Sequence, residues 1–169
     1  MPFQVDDQVV HPACGIGRVV GVVTKRFPEA EARQYYEIAI PQGTVWAPVD
    51  SDAASGLRPL TPQADLGRYR GVLRSRPAPL TSDARQRRLE LLSRLKAGSF
   101  QTLCEVVRDL TAHGWRKALR DVDTALLKKA REELCQEWAA ADGVSVSQAT
   151  DQVDALLGEA RQTYDAPGR

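Results

Sequence analysis

The 169-residue sequence predicts an α+β fold, with a small antiparallel β-domain over residues 1–60 followed by a helical domain over residues 61–169. Two observations carry that prediction. Ahead of residue 60, β-branched and aromatic residues gather in short runs broken by Gly and Pro, as strands joined by tight turns require. Beyond it, apolar residues recur every three or four positions, behind Ser, Thr and Asp residues placed to cap helices.

The β-domain opens with "VDDQVVHPACGIGRVVGVV", residues 5–23. Val9 and Val10 belong to one strand and Ile16 to Lys25 to a second. His11-Pro12 and Gly15-Ile16-Gly17 lie at the reversal, where glycine reaches φ > 0 at little cost. A hairpin alone is at best marginally stable, so it needs neighbours. Gln34 to Ile40 supplies one, with Tyr36, Ile38 and Ile40 on one face, and Thr44 to Val49 another, joined to it through "PQG". "GLRPL" offers a fifth. So many short strands fit a bent sheet or a small SH3- or Tudor-like barrel, in which few edges stay open.

A compact bundle of about five helices follows. Thr61-Pro62 reads as N-cap and first helical residue of a helix burying Leu66, Tyr69 and Leu73, stopped at "RPAP". Ser82 or Asp83 caps a second, with Leu89, Leu92 and Leu95 expected inward and Gly98 ending it. Ser99 opens a third through Phe100, Leu103, Cys104, Val107 and Leu110, closed at His113-Gly114. Asp123 is the expected cap of a long fourth through Leu127, Ala130, Leu134 and Trp138 to Gly143. Ser145 and Gln148 form a capping box ahead of Val146, Ala149, Val153, Leu156 and Ala160.

Composition narrows the function classes. At 43% hydrophobic residues and a formal net charge of +1, the chain is of ordinary globular type. No apolar stretch approaches the roughly 18 residues of a membrane span, and "MPFQVDDQ" lacks the charged head and apolar core of a secretion signal. A cytoplasmic monomer without membrane contact is expected. Cys14, Cys104 and Cys135 are odd in number and widely spaced, which suits reduced thiols. The near-neutral total hides a strong segregation: residues 67–131 carry 16 basic against 6 acidic side chains, and residues 132–169 carry 2 against 8. A basic block of that density is either a solvated helical surface or an electrostatic footprint for nucleic acid.

Catalytic patterns are sparse. The two histidines, His11 and His113, join no Ser/His/Asp spacing, and no phosphate-binding loop is present. His11 and Cys14 could offer two metal ligands, whereas a structural zinc takes four, so no metal and no cofactor is expected. A binding protein is favoured over an enzyme.

Four blocks then carry a family resemblance: "FQVDDQVVHPACGIGRVVGVV", "YYEIAIPQGTVWAPVD", "LKAGSFQTLCEVVRDL" and "LLKKAREELCQEW". In their order and spacing they resemble the CarD/CdnL family of bacterial transcription regulators, across essentially the whole chain. The resemblance implies an N-terminal Tudor-like domain, shared with transcription-repair coupling factors, that binds the RNA polymerase β subunit. It further implies a helical domain that touches promoter DNA at the upstream edge of the melted region. The polymerase-docking basic positions fall on Lys25, with Arg26 beside it, and on Trp46, where charge is exchanged for an aromatic. Trp46 reads equally as an interface anchor or as core.

The tryptophan that relatives often place as a minor-groove wedge falls on Ala84, and a methyl cannot lever bases apart. The basic surroundings remain: Arg85, Arg87 and Arg88 on the second helix, and Lys128, Lys129 and Arg131 on the fourth, suited to phosphates rather than to sequence. Trp115 is a candidate substitute wedge. The expected function is a non-enzymatic regulator that stabilises the open promoter complex through both attachments. The alternative is a polymerase-docking adaptor that does not touch DNA.

Overall fold

The computed structural model describes residues 3–29, 31–49, 57–96 and 98–164. The chain divides into two compact units between Leu60 and Thr61. The first is a five-stranded antiparallel sheet of β1 (Gln8–His11), β2 (Gly15–Lys25), β3 (Arg33–Ile40), β4 (Gly43–Pro48) and β5 (Arg58–Pro59). The strand order is β4-β3-β2-β1-β5, an open sheet rather than a closed barrel. Of the expected "GLRPL" strand, Gly56 lies outside the described residues.

The β1–β2 reversal uses its residues for different ends. Gly15 takes φ +77°, whereas Gly17 is needed for space, since a Cβ there would stand 2.5 Å from Ile38 Cγ2. His11 Nδ1 accepts hydrogen bonds from the N–H groups of Ala13 and Cys14, at 3.1 and 3.2 Å, and so closes the turn. A bulge between Val19 and Gly21 breaks the β2–β3 register and leaves Val20 exposed. Bulges sharpen local twist, which helps one face of so small a sheet to close over its core. That core is Phe3, Val9, Val19, Tyr36, Ile38, Ala47 and Leu57.

The second unit holds α1 (Leu66–Arg74), α2 (Ala84–Lys96), α3 (Phe100–Arg116), α4 (Asp121–Asp142) and α5 (Val146–Tyr164), with a 3-10 turn at Gln63–Asp65 ahead of α1. Asp83 caps α2 through the Gln86 N–H, Ser99 caps α3 through the Thr102 N–H, and Ser145 and Gln148 close their capping box at 3.0 Å each way. Trp138 lies fully buried at the centre, near Phe100, which packs edge-on against Tyr69 at 4.9 Å.

Four expectations are corrected. Thr61 is not a cap: its hydroxyl donates to Glu137 Oε2 at 2.6 Å, inside the unit. The third helix continues past His113-Gly114 to Arg116, with Leu119 packed where a side chain on Gly114 would be. The fourth begins at Asp121 behind Arg120, which makes no side-chain cap, because Asp123 is drawn inward instead. On α2 the buried face is Arg87 and Leu91, while Leu89 and Leu92 are exposed.

Candidate functional site

On the sheet, strand alternation sorts side chains to two faces. Tyr36, Ile38 and Ala47 enter the core, so Tyr35, Glu37 and Trp46 belong to the opposite face. Trp46 lies across from Glu37 in the β3–β4 ladder and is 37% exposed, so it is a surface aromatic and not part of the core. Lys25, at the end of β2, places its Nζ 3.5 Å from the centre of the Trp46 ring. A cation over an indole is stabilised by the ring quadrupole, which favours this placement of the ammonium. Arg26 is exposed just beyond the strand. Phe27, also exposed, meets Tyr35 edge-on at 5.5 Å. The structure thus joins Lys25 to Trp46 and adds a pair, Phe27 and Tyr35, that sequence reasoning did not single out.

In the helical unit the six basic residues expected to meet DNA separate into three groups. Arg85 and Arg88 are exposed on α2, and Lys128 and Lys129 are exposed on α4. Among the described residues none of these four makes an ion pair. Arg131 is half-buried and pairs with Asp154 of α5. Arg87 does not belong to the exposed set. Its Nε and Nη2 both donate to Asp123 Oδ2, at 3.2 and 2.7 Å, and its Nη1 donates to the carbonyls of Thr81 and Ser82. A guanidinium with these partners anchors α2 to the start of α4 and is not available for a phosphate.

Ala84 is exposed at the first residue of α2. It borders a cleft of about 260 Å³ whose wall includes Arg87, His113, Arg116, Lys117 and Asp123. Burial, and then the positive charge of Arg87, holds the His113 imidazole below its ordinary pKa, with Arg116 and Lys117 acting in the same direction and Asp123 opposing them. Trp115 is half-buried, 5.5 Å from Tyr164 and 5.7 Å from Arg161, and so packs against α5.

Residues 3–61 match the CarD-like/TRCF RID domain, and residues 70–154 match the CarD C-terminal domain. The chain belongs to the CarD family. It is similar to the Bacillus subtilis (strain 168) protein named "Putative transcription factor YdeB", at 30% identity over 148 residues, covering 86% of this chain and 96% of the relative. The family is one of transcription regulators, so these likenesses point to a transcription factor rather than an enzyme, and the RID domain suggests an interaction with RNA polymerase. Among the described residues no helix is long and apolar enough to cross a membrane. Nor do three or more His, Cys, Asp or Glu side chains gather there into a group that could hold a metal ion.

For this CarD-family chain, the exposed leucines on α2 and the burial of Arg87 are the features that sequence reasoning missed. The spacing of Arg87, Leu91 and Leu95 held the available signal, because those three lie four residues apart and share a helix face.

Proposed function

We propose that this protein docks on the β subunit of RNA polymerase through Lys25, Arg26 and Trp46, and contacts promoter DNA through α2 and α4 in the open complex. It acts in the cytoplasm as a monomer. The observation that carries the reading is the stack of Lys25 on exposed Trp46, on the sheet face turned away from the core. Trp and Arg, here Trp46 and Arg26, are enriched among the residues that dominate interface energies. The DNA half rests on the exposed cations Arg85, Arg88, Lys128 and Lys129, which form no ion pair among the described residues. They could neutralise phosphates without reading sequence, giving weak, salt-sensitive contact. Docking on polymerase raises the local concentration of promoter DNA, and that makes weak contact effective.

The mechanism is a shift of equilibrium. Contacts made only with melted promoter favour the open complex by their differential free energy, and no chemical step is involved. The test is open-complex dissociation on a promoter, with and without the full chain, together with footprinting of polymerase. Protection at the upstream edge and a longer lifetime that declines steeply with salt support the reading. Polymerase binding with no change in lifetime or footprint replaces it with the adaptor that does not touch DNA.

A further inference from the structure

The outward surface of α2 carries a feature that the charge pattern alone does not explain. Leu89 is 56% exposed and Leu92 is 42% exposed, two large apolar side chains three residues apart on one helix. At 3.6 residues per turn, Arg85, Arg88, Leu89, Leu92 and Lys96 fall within an arc of about 100°. The buried pair, Arg87 and Leu91, occupies the other side of the helix. The outward arc carries no acidic residue. Glu90 lies off it, with its carboxylate accepting from Thr81 and Gln86. Among the described residues Arg85, Arg88 and Lys96 form no ion pair. Single exposed leucines are common on protein surfaces; here two lie side by side among three cations that form no ion pair among the described residues, which makes the arc a candidate contact surface.

Its charge selects an anionic partner and its leucines select one with apolar faces. Each leucine stands four residues from an arginine, Leu89 from Arg85 and Leu92 from Arg88, so cation and apolar group are neighbours one helical turn apart. A melted nucleic-acid strand presents that same alternation, a phosphate and an unstacked base face in each nucleotide. Aliphatic side chains are used as wedges against base steps by minor-groove binders, and leucine is among them. Ala84, at the start of the same helix, has only a methyl to offer.

We propose that Leu89 and Leu92 form an apolar ridge that contacts unstacked bases at the upstream junction between duplex and melted DNA, with Arg85 and Arg88 on the adjoining phosphates. The proposal rests on the DNA-contacting reading above and assigns to that contact two residues outside its basic set.

The experiment uses the full chain on polymerase–promoter complexes carrying 2-aminopurine at the upstream edge of the bubble. Leu89→Ala with Leu92→Ala is compared with Arg85→Glu with Arg88→Glu, and with Leu89→Met and Leu92→Met as the conservative pair. Because both leucines are exposed, the alanine pair keeps the wild-type melting temperature and polymerase affinity. It is expected to shorten the open-complex lifetime about five- to tenfold, from loss of apolar contact area, and to change the 2-aminopurine signal. The methionine pair restores both. If the charge reversal shortens the lifetime and the alanine pair does not, the ridge is overturned and the DNA reading stands. If neither changes it, both fail. If the alanine pair loses polymerase affinity without DNA present, the ridge belongs to a protein interface and the proposal is overturned.

Discussion

Arg87 and Asp123 form a buried ion pair, with Nη2 and Oδ2 2.7 Å apart and the two side chains 6% and 5% exposed. The pair does not rank as a large net gain over an apolar core, because both charges were taken out of water. Removing one partner is another matter, since the remaining charge stays buried without its counter-ion.

Arg87→Ala is therefore expected to destabilise the helical unit by about 3 kcal/mol, lowering the melting temperature by roughly 10 °C or more. Arg88→Ala, one residue on and exposed, is expected to leave it within about 3 °C. Thermal melts of the two variants decide this, and an unchanged melt for Arg87→Ala would remove the ion pair from the account of stability. A charge reversal at Arg87 accordingly probes folding, and of the three arginines at the start of this helix Arg85 and Arg88 are the ones that probe phosphate contact.

The same residue shows where the sequence was legible and where it was not. On α1, α3, α4 and α5 the apolar period alone identified Leu66, Phe100, Leu134 and Val153, all of which are buried. On α2 two stripes compete: Leu89, Leu92 and Leu95 read as the apolar face, yet Arg87, Leu91 and Leu95 turn inward. The decision rests with Asp123, 36 residues further along, and local periodicity cannot register so distant a partner. Thr61 fails for the same reason, because its partner Glu137 is 76 residues away. Strand positions were legible from β-branched runs. Reading Lys25 over Trp46 requires the register of three strands and the position of a bulge, and neither is written in any single run.

Gly17 and Gly21 both lie in β2, and their neighbours predict unequal responses to alanine. A Cβ on Gly17 would meet Ile38 Cγ2 at 2.5 Å and the Ala39 carbonyl oxygen at 2.9 Å, whereas on Gly21 the nearest atom is Glu37 Oε2 at 3.8 Å. Gly17→Ala is expected to cost about 1–3 kcal/mol through overpacking against β3. Gly21→Ala is expected to cost nothing measurable. Urea midpoints of the two variants test this, and equal midpoints would contradict the close approach of β2 and β3 at Gly17.

His113 predicts a pH dependence whose sign is fixed. Burial first, then Arg87, lowers its folded-state pKa. The unfolded chain therefore binds the proton more readily, and the associated stability is present above the unfolded value near 6.5 and lost as pH falls through the folded one. His11, also lowered by burial, acts in the same direction. Its Nδ1 accepts two N–H groups in the β1–β2 turn, a role that protonation ends. The melting temperature should fall as pH is taken from 7 towards 5, and His113→Gln should flatten that fall. If His113→Gln keeps the wild-type slope, another group carries the dependence.

Trp46 and Lys25 give the sharpest separation between folding and docking. Trp46 lies outside the core cluster of the sheet, so Trp46→Ala removes little that holds the unit together. Its contact with Lys25, at an exposed site, is worth about 0.5–1 kcal/mol. An aromatic anchor truncated within a protein interface costs about 2 kcal/mol or more, so Trp46→Ala should weaken polymerase binding roughly thirtyfold with little change in melting temperature. Lys25→Glu should act differently, by reversing a charge at the interface: association slows, and the effect shrinks as salt is raised. Binding of the full-length variants to purified polymerase, measured at two ionic strengths, distinguishes the cases. A Trp46→Ala affinity within twofold of wild type would move the docking surface off this face of the sheet, with the exposed Phe27 beside Tyr35 as the next position to truncate.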